Sequence, residues 1–449
     1  MGHMFSRPEG QDGKEKQDER FHESVRLRGF TRSSKVENLR NKSKFPARGG
    51  IPALFRIFTG MKTISKIACL LAGVLALAAC RNRADKPACL VQVALGGWDK
   101  SDYPIERIVT RIDSVNEVIP VRKVLVGWSP DKEIYRQLRA FLDAKGIEMY
   151  LWLPVFAETE EVCDNAPAVD LSGGYSPAGS DGVRFGCPSD PRNAENVVAL
   201  YDSLFSDFRF DGVFLDRIRT RSFDGGVGGV LGCGCPVCRE RFAAEGVDLE
   251  AVKAEWDARG DAFFSVTGYD PTEGFRFENP LAAAFFKAKG HVVSNGVTAI
   301  ADSLRSRGLG IGMNLFAPFL APFVGQDYSI LASHADFIKP MLYRVADVPG
   351  GMGFEYGLLK KAVPGAAGYP EFTMDTAFLD AQLDALAPYP CEKYPGIEVN
   401  RNRDFAPTTP EYVAESMSRV MAHDYQGAAL SWNIMRAPKE HFLILGEKR

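Results

Sequence analysis

The sequence lacks a basic body. Its 449 residues carry a formal net charge of −3, and the surplus of positive charge sits at the start. Residues 1–60 hold thirteen Lys/Arg against seven Asp/Glu, and Lys62 and Lys66 add two more charges, which leaves residues 81–449 at −11. A body of that sign offers phosphates no complementary face, so nucleic acid is excluded as a partner. Also missing is any series of apolar stretches of about 20 residues, which excludes a multi-span membrane protein. No internal repeat or low-complexity run is present. No Gly-rich phosphate fingerprint follows the first apolar segment, which weighs against a doubly wound dinucleotide fold. What is present, 45% hydrophobic and 25% charged residues, suffices for one large core or two ordinary ones.

Met61 opens a second start, MKTISKIACLLAGVLALAAC. Lys62 and Lys66 form a positive n-region, and Ile67 to Ala79 an apolar stretch of secretory h-region length. The ending Leu77-Ala78-Ala79-Cys80 resembles the bacterial lipobox, in which the Cys after small residues is diacylated and becomes the mature N-terminus. The resemblance implies a lipoprotein signal peptide over 61–80, lipidation at Cys80, and a membrane partner through that anchor in the cell envelope. Arg81 rather than Asp follows, which by the same resemblance favours the outer membrane. Residues 1–60, polar and without apolar periodicity, read as a disordered upstream extension or a mis-assigned start. A tether over 81–90 then leads to a folded body over 91–449.

In that body eight short apolar segments alternate with helical stretches. The segments are Val91–Trp98, Arg122–Trp128, Ile147–Phe156, Phe210–Ile218, Leu309–Phe316, Ala335–Arg344, Gly396–Arg401 and Gly427–Asn433. Near-continuous apolar runs are what parallel strands buried on both faces require. Asp190-Pro191 opens a helix to about Asp207, Tyr135–Lys145 stops at Gly146, Ala282–Arg307 at Gly308, and Pro410–His423 follows Thr409. The alternation predicts an α/β fold, a (β/α)8 TIM barrel, with an insertion after strand 4 at about 220–280.

Barrel chemistry is expected at the C-terminal strand ends. Trp98, Trp128, Trp152 and Trp432 fall there, on strands one, two, three and eight, and flat indole faces suit sugar C–H surfaces. Alternation along Asp211–Arg217 puts Gly212, Phe214 and Asp216 on one face, with Asp216 at the catalytic end beside Arg217. Glu398 stands in the otherwise apolar stretch Pro395-Gly396-Ile397-Glu398-Val399 of strand seven. Two carboxylates flanking a glycosidic bond can supply its acid and its nucleophile or base. Lys339 and Tyr343 share a face of strand six, where the lysine can neutralise a substrate carboxylate, pair with either acid, or form a Schiff base. Asn314 and Asn400 are candidate partners for sugar hydroxyls.

Cys233, Cys235 and Cys238 place three thiols within six residues, a spacing that suits one structural zinc held by thiolates, with Cys187 as fourth ligand and Cys163 as second choice. Disulfides are the competing reading in an oxidising compartment. Four thiolates would leave the metal no open position, so catalysis needs no cofactor.

FDGVFLDRIR followed by CGCPVCRERF resembles the glycoside-hydrolase-like (β/α)8 barrels of bacteria, as does the stretch from Val324 to Tyr343. The Cys run resembles the zinc cluster of family 42 β-galactosidases. Amylase- and α-galactosidase-like barrels imply a nucleophilic Asp at Asp216, whereas the β-galactosidase group implies a nucleophilic Glu at Glu398 and an Asn-Glu pair on strand four, where this chain has Leu215-Asp216. The expectation is a lipid-anchored glycoside hydrolase acting on an extracytoplasmic polysaccharide or glycan. The alternatives are a non-catalytic glycan-binding lipoprotein on the same barrel and a Schiff-base lyase using Lys339.

Overall fold

The computed structural model describes residues 88–95, 103–129, 131–158, 165–176 and 182–447. The signal-like segment with Cys80, as well as Trp98 and Cys163, lies outside the described residues.

Eight parallel strands close into a barrel: Ala88–Val93, Val121–Val126, Glu148–Pro154, Gly212–Asp216, Gly310–Phe316, Phe337–Met341, Gly396–Glu398 and Gly427–Ser431. Strand eight returns to strand one from Ala88↔Gly427 to Val91↔Leu430, and Gly396↔Met341 closes the seam between strands six and seven. All eight expected segments are strands of this barrel. Strand one begins three residues early. Ala88, Cys89 and Leu90 had been assigned to the tether, but they pair with strand eight and are buried, because the returning strand needs a partner along its whole length.

Every strand is covered on both sides, and alternation divides its residues between two cores. Val91, Val124, Leu151, Val213, Ile311, Ile338, Ile397 and Leu430 face the helices. Leu90, Leu125, Tyr150, Phe214, Phe337, Tyr394 and Ala429 fill the barrel. The rings of Tyr150 and Phe337 meet edge to face at 5.1 Å, and Phe214 lies parallel to Phe337 at 6.0 Å. Glycine makes the room for them. A Cβ on Gly312 would stand 2.1 Å from Phe337 Cζ, and one on Gly212 2.3 Å from Tyr150 Cε1. At the N-terminal end the Lys123 ammonium closes the floor. Its Nζ lies 2.7 Å from Glu148 and 3.3 Å from Glu392, with the rings of Tyr150, Phe337 and Tyr394 around it at 5.4, 5.3 and 6.0 Å.

The surrounding helices begin where side chains cap them. Asp131 opens Lys132–Lys145 and Asp190 opens Pro191–Phe205, while Asn279 opens Pro280–Arg305 and Thr409 opens Pro410–Met421; each accepts from a first-turn N–H. Gly146 ends the first of these at φ +66°, a conformation that suits glycine. Between strands four and five the chain forms three short helices, Gly226–Leu231, Pro236–Ala244 and Leu249–Arg259. An antiparallel hairpin of Val266–Asp270 and Gly274–Phe277 follows, and then the long helix Pro280–Arg305. Among the described residues no helix is long and apolar enough to cross a membrane.

Candidate active site at the C-terminal mouth

Asp216 ends strand four with its side chain on the inner face, where two neighbouring strands reach it. Asn314 of strand five donates Nδ2–H to Oδ1 at 2.7 Å, and Trp152 of strand three donates its indole N–H to Oδ2 at 2.9 Å. The Arg217 amide adds a second bond to Oδ1 at 2.7 Å. Burial alone would raise the Asp216 pKa, but the Arg217 charge and these donors outweigh it and hold the carboxyl below its ordinary range. Asp216 is therefore an anion at neutral pH.

Lys339 of strand six continues the line. Its Nζ donates to Asn314 Oδ1 at 3.1 Å and to the Tyr343 hydroxyl at 2.7 Å. Burial pushes its pKa down to about 7, with the Asp216 charge opposing that shift. Tyr343 is buried, its ring centroid 6.1 Å from that of Trp432. Burial raises its pKa, as do the charges of Glu398 and Asp216, while a hydrogen bond with Ser431 opposes the rise. Trp152, Asp216, Asn314, Lys339 and Tyr343 thus form one continuous hydrogen-bonded arc.

Glu398 of strand seven is fully buried, and its charge, like that of Asp216, bears on Tyr343. Its Oε1 accepts from the Val345 amide at 2.8 Å, in the loop that leaves strand six. Burial raises its pKa, and the Val345 N–H, the Tyr412 hydroxyl and the Arg344 charge offset only part of that. The charges of the two expected carboxylates thus both bear on Tyr343, and their own pKa values are driven in opposite directions, Asp216 down and Glu398 up.

Two expected contributors are placed differently. Trp128 has the parity of Val124 and Val126, so its ring turns outward and meets Phe205 edge to face at 5.3 Å, packed against the outer core. Asn400 spends its amide on the backbone of strand eight's exit. It accepts from Trp432 N at 2.8 Å and Asn433 N at 2.9 Å, and donates to Asn433 O at 2.8 Å. It positions Trp432, with its oxygen and one of its two N–H groups already spent on that backbone.

Features beyond those expectations surround Asp216. Arg217 adopts φ +52°, a left-handed backbone rare for a residue with a side chain. The Arg219 guanidinium lies between the rings of Phe185 and Phe316 at 4.8 and 4.7 Å, and Arg221 covers Phe185 at 5.2 Å. Glu355 is buried nearby and its pKa is raised by burial, with the Arg219 charge opposing. Lys289, on the long helix, is fully buried and donates to the carbonyls of Val230 and Phe323; burial pushes it down to about 7. Positive φ has no signature in Leu-Asp-Arg-Ile, and Phe185 and Arg219 are too far apart in sequence to read as a pair.

Cys187, Cys233, Cys235 and Cys238 come together, their sulfurs all within 4.8 Å of one another. Cys187 Sγ is 3.5 Å from Cys235 Sγ and 3.4 Å from Cys238 Sγ. Thiolates at Zn–S of about 2.3 Å on a tetrahedron stand about 3.8 Å apart, so this group can hold a metal ion. Cys235 caps the helix Pro236–Ala244, and the Cys238 amide points back at its sulfur at 3.4 Å. The glycine between Cys233 and Cys235 is required by contact: a Cβ on Gly234 would meet the Asp170 carbonyl at 2.7 Å.

No protein-family model matches the chain, and no curated protein matches it. Among solved structures, the glycoside hydrolase domain of PgaB (BpsB) from Bordetella bronchiseptica is similar at TM-score 0.50 and 14% identity, over 80% of this chain and 98% of that one. A catalytic mutant of Gan42B, a GH42 beta-galactosidase from G. stearothermophilus, aligns at 0.49 and 14% identity, over 81% of this chain and 56% of that one. A chitinase from Chromobacterium violaceum aligns at 0.41 and 12% identity, over 81% and 100%. At 14% identity the likeness to the first of these is one of fold.

Proposed function

We propose that this protein is a glycoside hydrolase of the bacterial cell envelope, lipid-anchored at Cys80 in the outer membrane and acting on a polysaccharide or glycan. The observation that carries the reading is the divergence of two strand-end carboxylates whose charges both bear on Tyr343. Carboxyl pairs whose surroundings push their pKa values apart divide into an acid and a base or nucleophile. On this reading Asp216, whose pKa its donors and the Arg217 charge lower, is the nucleophile or base, and Glu398, whose pKa burial raises, is the acid. Trp152 and Trp432 offer faces for sugar rings, and Trp98 is proposed with them. Arg217, Asn314, Lys339 and Tyr343 line the same mouth. The four-cysteine group would hold one structural zinc and fix the wall beside Asp216; the metal takes no part in the chemistry. The signal-like segment supports the location, and the fold shared with a glycoside hydrolase domain supports the reaction class.

A second reading has its own observation. Glu398 is fully buried, with Oε1 bonded to Val345 N, the state expected of a barrel that binds glycans without cleaving them. The test is a hydrolysis and binding screen of residues 81–449 and of Asp216→Asn against a glycan panel. Hydrolysis that falls at least about a thousandfold in the variant is the expected result. Binding without turnover, equal in both proteins, would replace the hydrolase with the binding protein.

A further inference from the structure

Asn314 stands between Asp216 and Lys339, and its two ends are chemically opposite. The amide oxygen only accepts and the nitrogen only donates, while the shape is nearly unchanged by a half-turn. Asn314 and Lys339 are direct partners across strands five and six, and Leu215 pairs with Met313, which brings Asp216 beside Asn314. The Lys339 Nζ, as an ammonium, can only donate, so the end of Asn314 that faces it must be Oδ1, at 3.1 Å. The other end, Nδ2, then faces Asp216 Oδ1 at 2.7 Å. Nδ2 has one further contact, 3.5 Å to Met341 Sδ, which is weak.

Among the described ion pairs Lys339 has no carboxylate in direct contact. The negative charge bearing on it is that of Asp216, across the amide. The other charged or titratable groups around the pair are Arg217 beside Asp216, Arg219, whose charge also couples to Asp216, Tyr343 bonded to the lysine, and Glu398, whose charge bears on Tyr343.

We propose that Lys339 is a positioning residue for Asp216: through the Asn314 amide it fixes the donor end against the carboxylate, and with it the carboxylate's charge. Lys339 touches no substrate in this role. It explains why a fully buried ammonium is kept where an apolar residue would fill the barrel at lower desolvation cost. The inference rests on Asp216 being the working carboxylate of the mouth, and its test needs no substrate, so a failed hydrolase reading and a failed positioning role are told apart.

The experiment is a carbon-13 NMR titration of protein labelled at the Asp side-chain carboxyl, with the Asp216 signal assigned by Asp216→Asn. Wild type is compared with Lys339→Met and Lys339→Arg. The expected result is a midpoint about one pH unit higher in the methionine variant, a tenfold change in acid dissociation, with the arginine variant near wild type. The Trp152 indole N–H signal reports whether the bond to Asp216 Oδ2 survives. An unchanged midpoint in Lys339→Met, with that indole signal intact, overturns the proposal. Should the methionine variant not fold, Lys339→Leu, which likewise has no donor, carries the same test. A raised midpoint supports the role and an unchanged one overturns it.

Discussion

The Arg217 amide donates at 2.7 Å to the carboxylate of the residue immediately before it, Asp216, and does so from a left-handed backbone at φ +52°. The bond is local, set by the side-chain and backbone torsions of Asp216 itself, and the left-handed turn of Arg217 follows directly after it. A non-glycine residue held there costs of order 1–3 kcal/mol, and such residues cluster at functional sites.

Arg217→Gly should therefore separate stability from activity. Glycine relieves the left-handed strain but adds about 0.5–1 kcal/mol of unfolded-state entropy. The expected outcome is unchanged or slightly higher stability in urea titration. Turnover should fall at the same time, because the charge that most lowers the Asp216 pKa is gone. A variant that loses stability by more than about 1 kcal/mol would show that Arg217 is held for packing.

Lys289 and Lys339 predict how stability depends on pH. Their folded pKa values, about 7, lie below the ordinary lysine value of 10.5. Between those limits the unfolded chain binds more protons than the native one, so stability rises with pH, each lysine adding up to about 1.4 kcal/mol per pH unit. Below pH 7 both states are protonated and the contribution is flat. Lys289→Met should lower the slope of unfolding free energy between pH 7 and pH 9 relative to wild type. Parallel slopes would mean that Lys289 stays charged in the folded protein.

Metal removal gives a third outcome. Purified protein should contain one zinc, and a chelator should make Cys187, Cys233, Cys235 and Cys238 reactive to a thiol reagent together. Cys187→Ala should lose the metal and weaken glycan binding at temperatures where far-ultraviolet circular dichroism still reports a folded barrel. Metal-free protein with all four cysteines oxidised would replace the zinc with a disulfide staple.

Gly312→Ala tests the packed barrel. Its Cβ would collide with the Phe337 ring, and overpacking of this kind costs about 1–3 kcal/mol. The double variant with Phe337→Leu should recover part of the loss in urea titrations. Equal losses in the single and double variants would place the strain elsewhere.

The strands could be read because burial on both faces leaves apolar runs with no polar alternative, and the helix starts because Asp190, Thr409 and their prolines act locally. Asp216, Lys339 and Asn314 followed from the alternation within each strand. Trp128 obeys the same rule: its parity puts it outward with Val126, and position at a strand end does not override parity. The burial of Glu398 depends on Val345 in a separate loop and on Tyr412 in a later helix. No local pattern encodes that meeting, nor the seat of Arg219 between Phe185 and Phe316.

The ionic floor at Lys123 makes the barrel a vessel with one opening. With Glu148 and Glu392 pinning the lysine below and Tyr150, Phe214, Phe337 and Tyr394 filling the shaft above it, nothing can thread through. Whatever enters at Asp216 must leave by the way it came. A polymeric ligand can therefore only lie across the rim, and each departure clears the place for the next arrival.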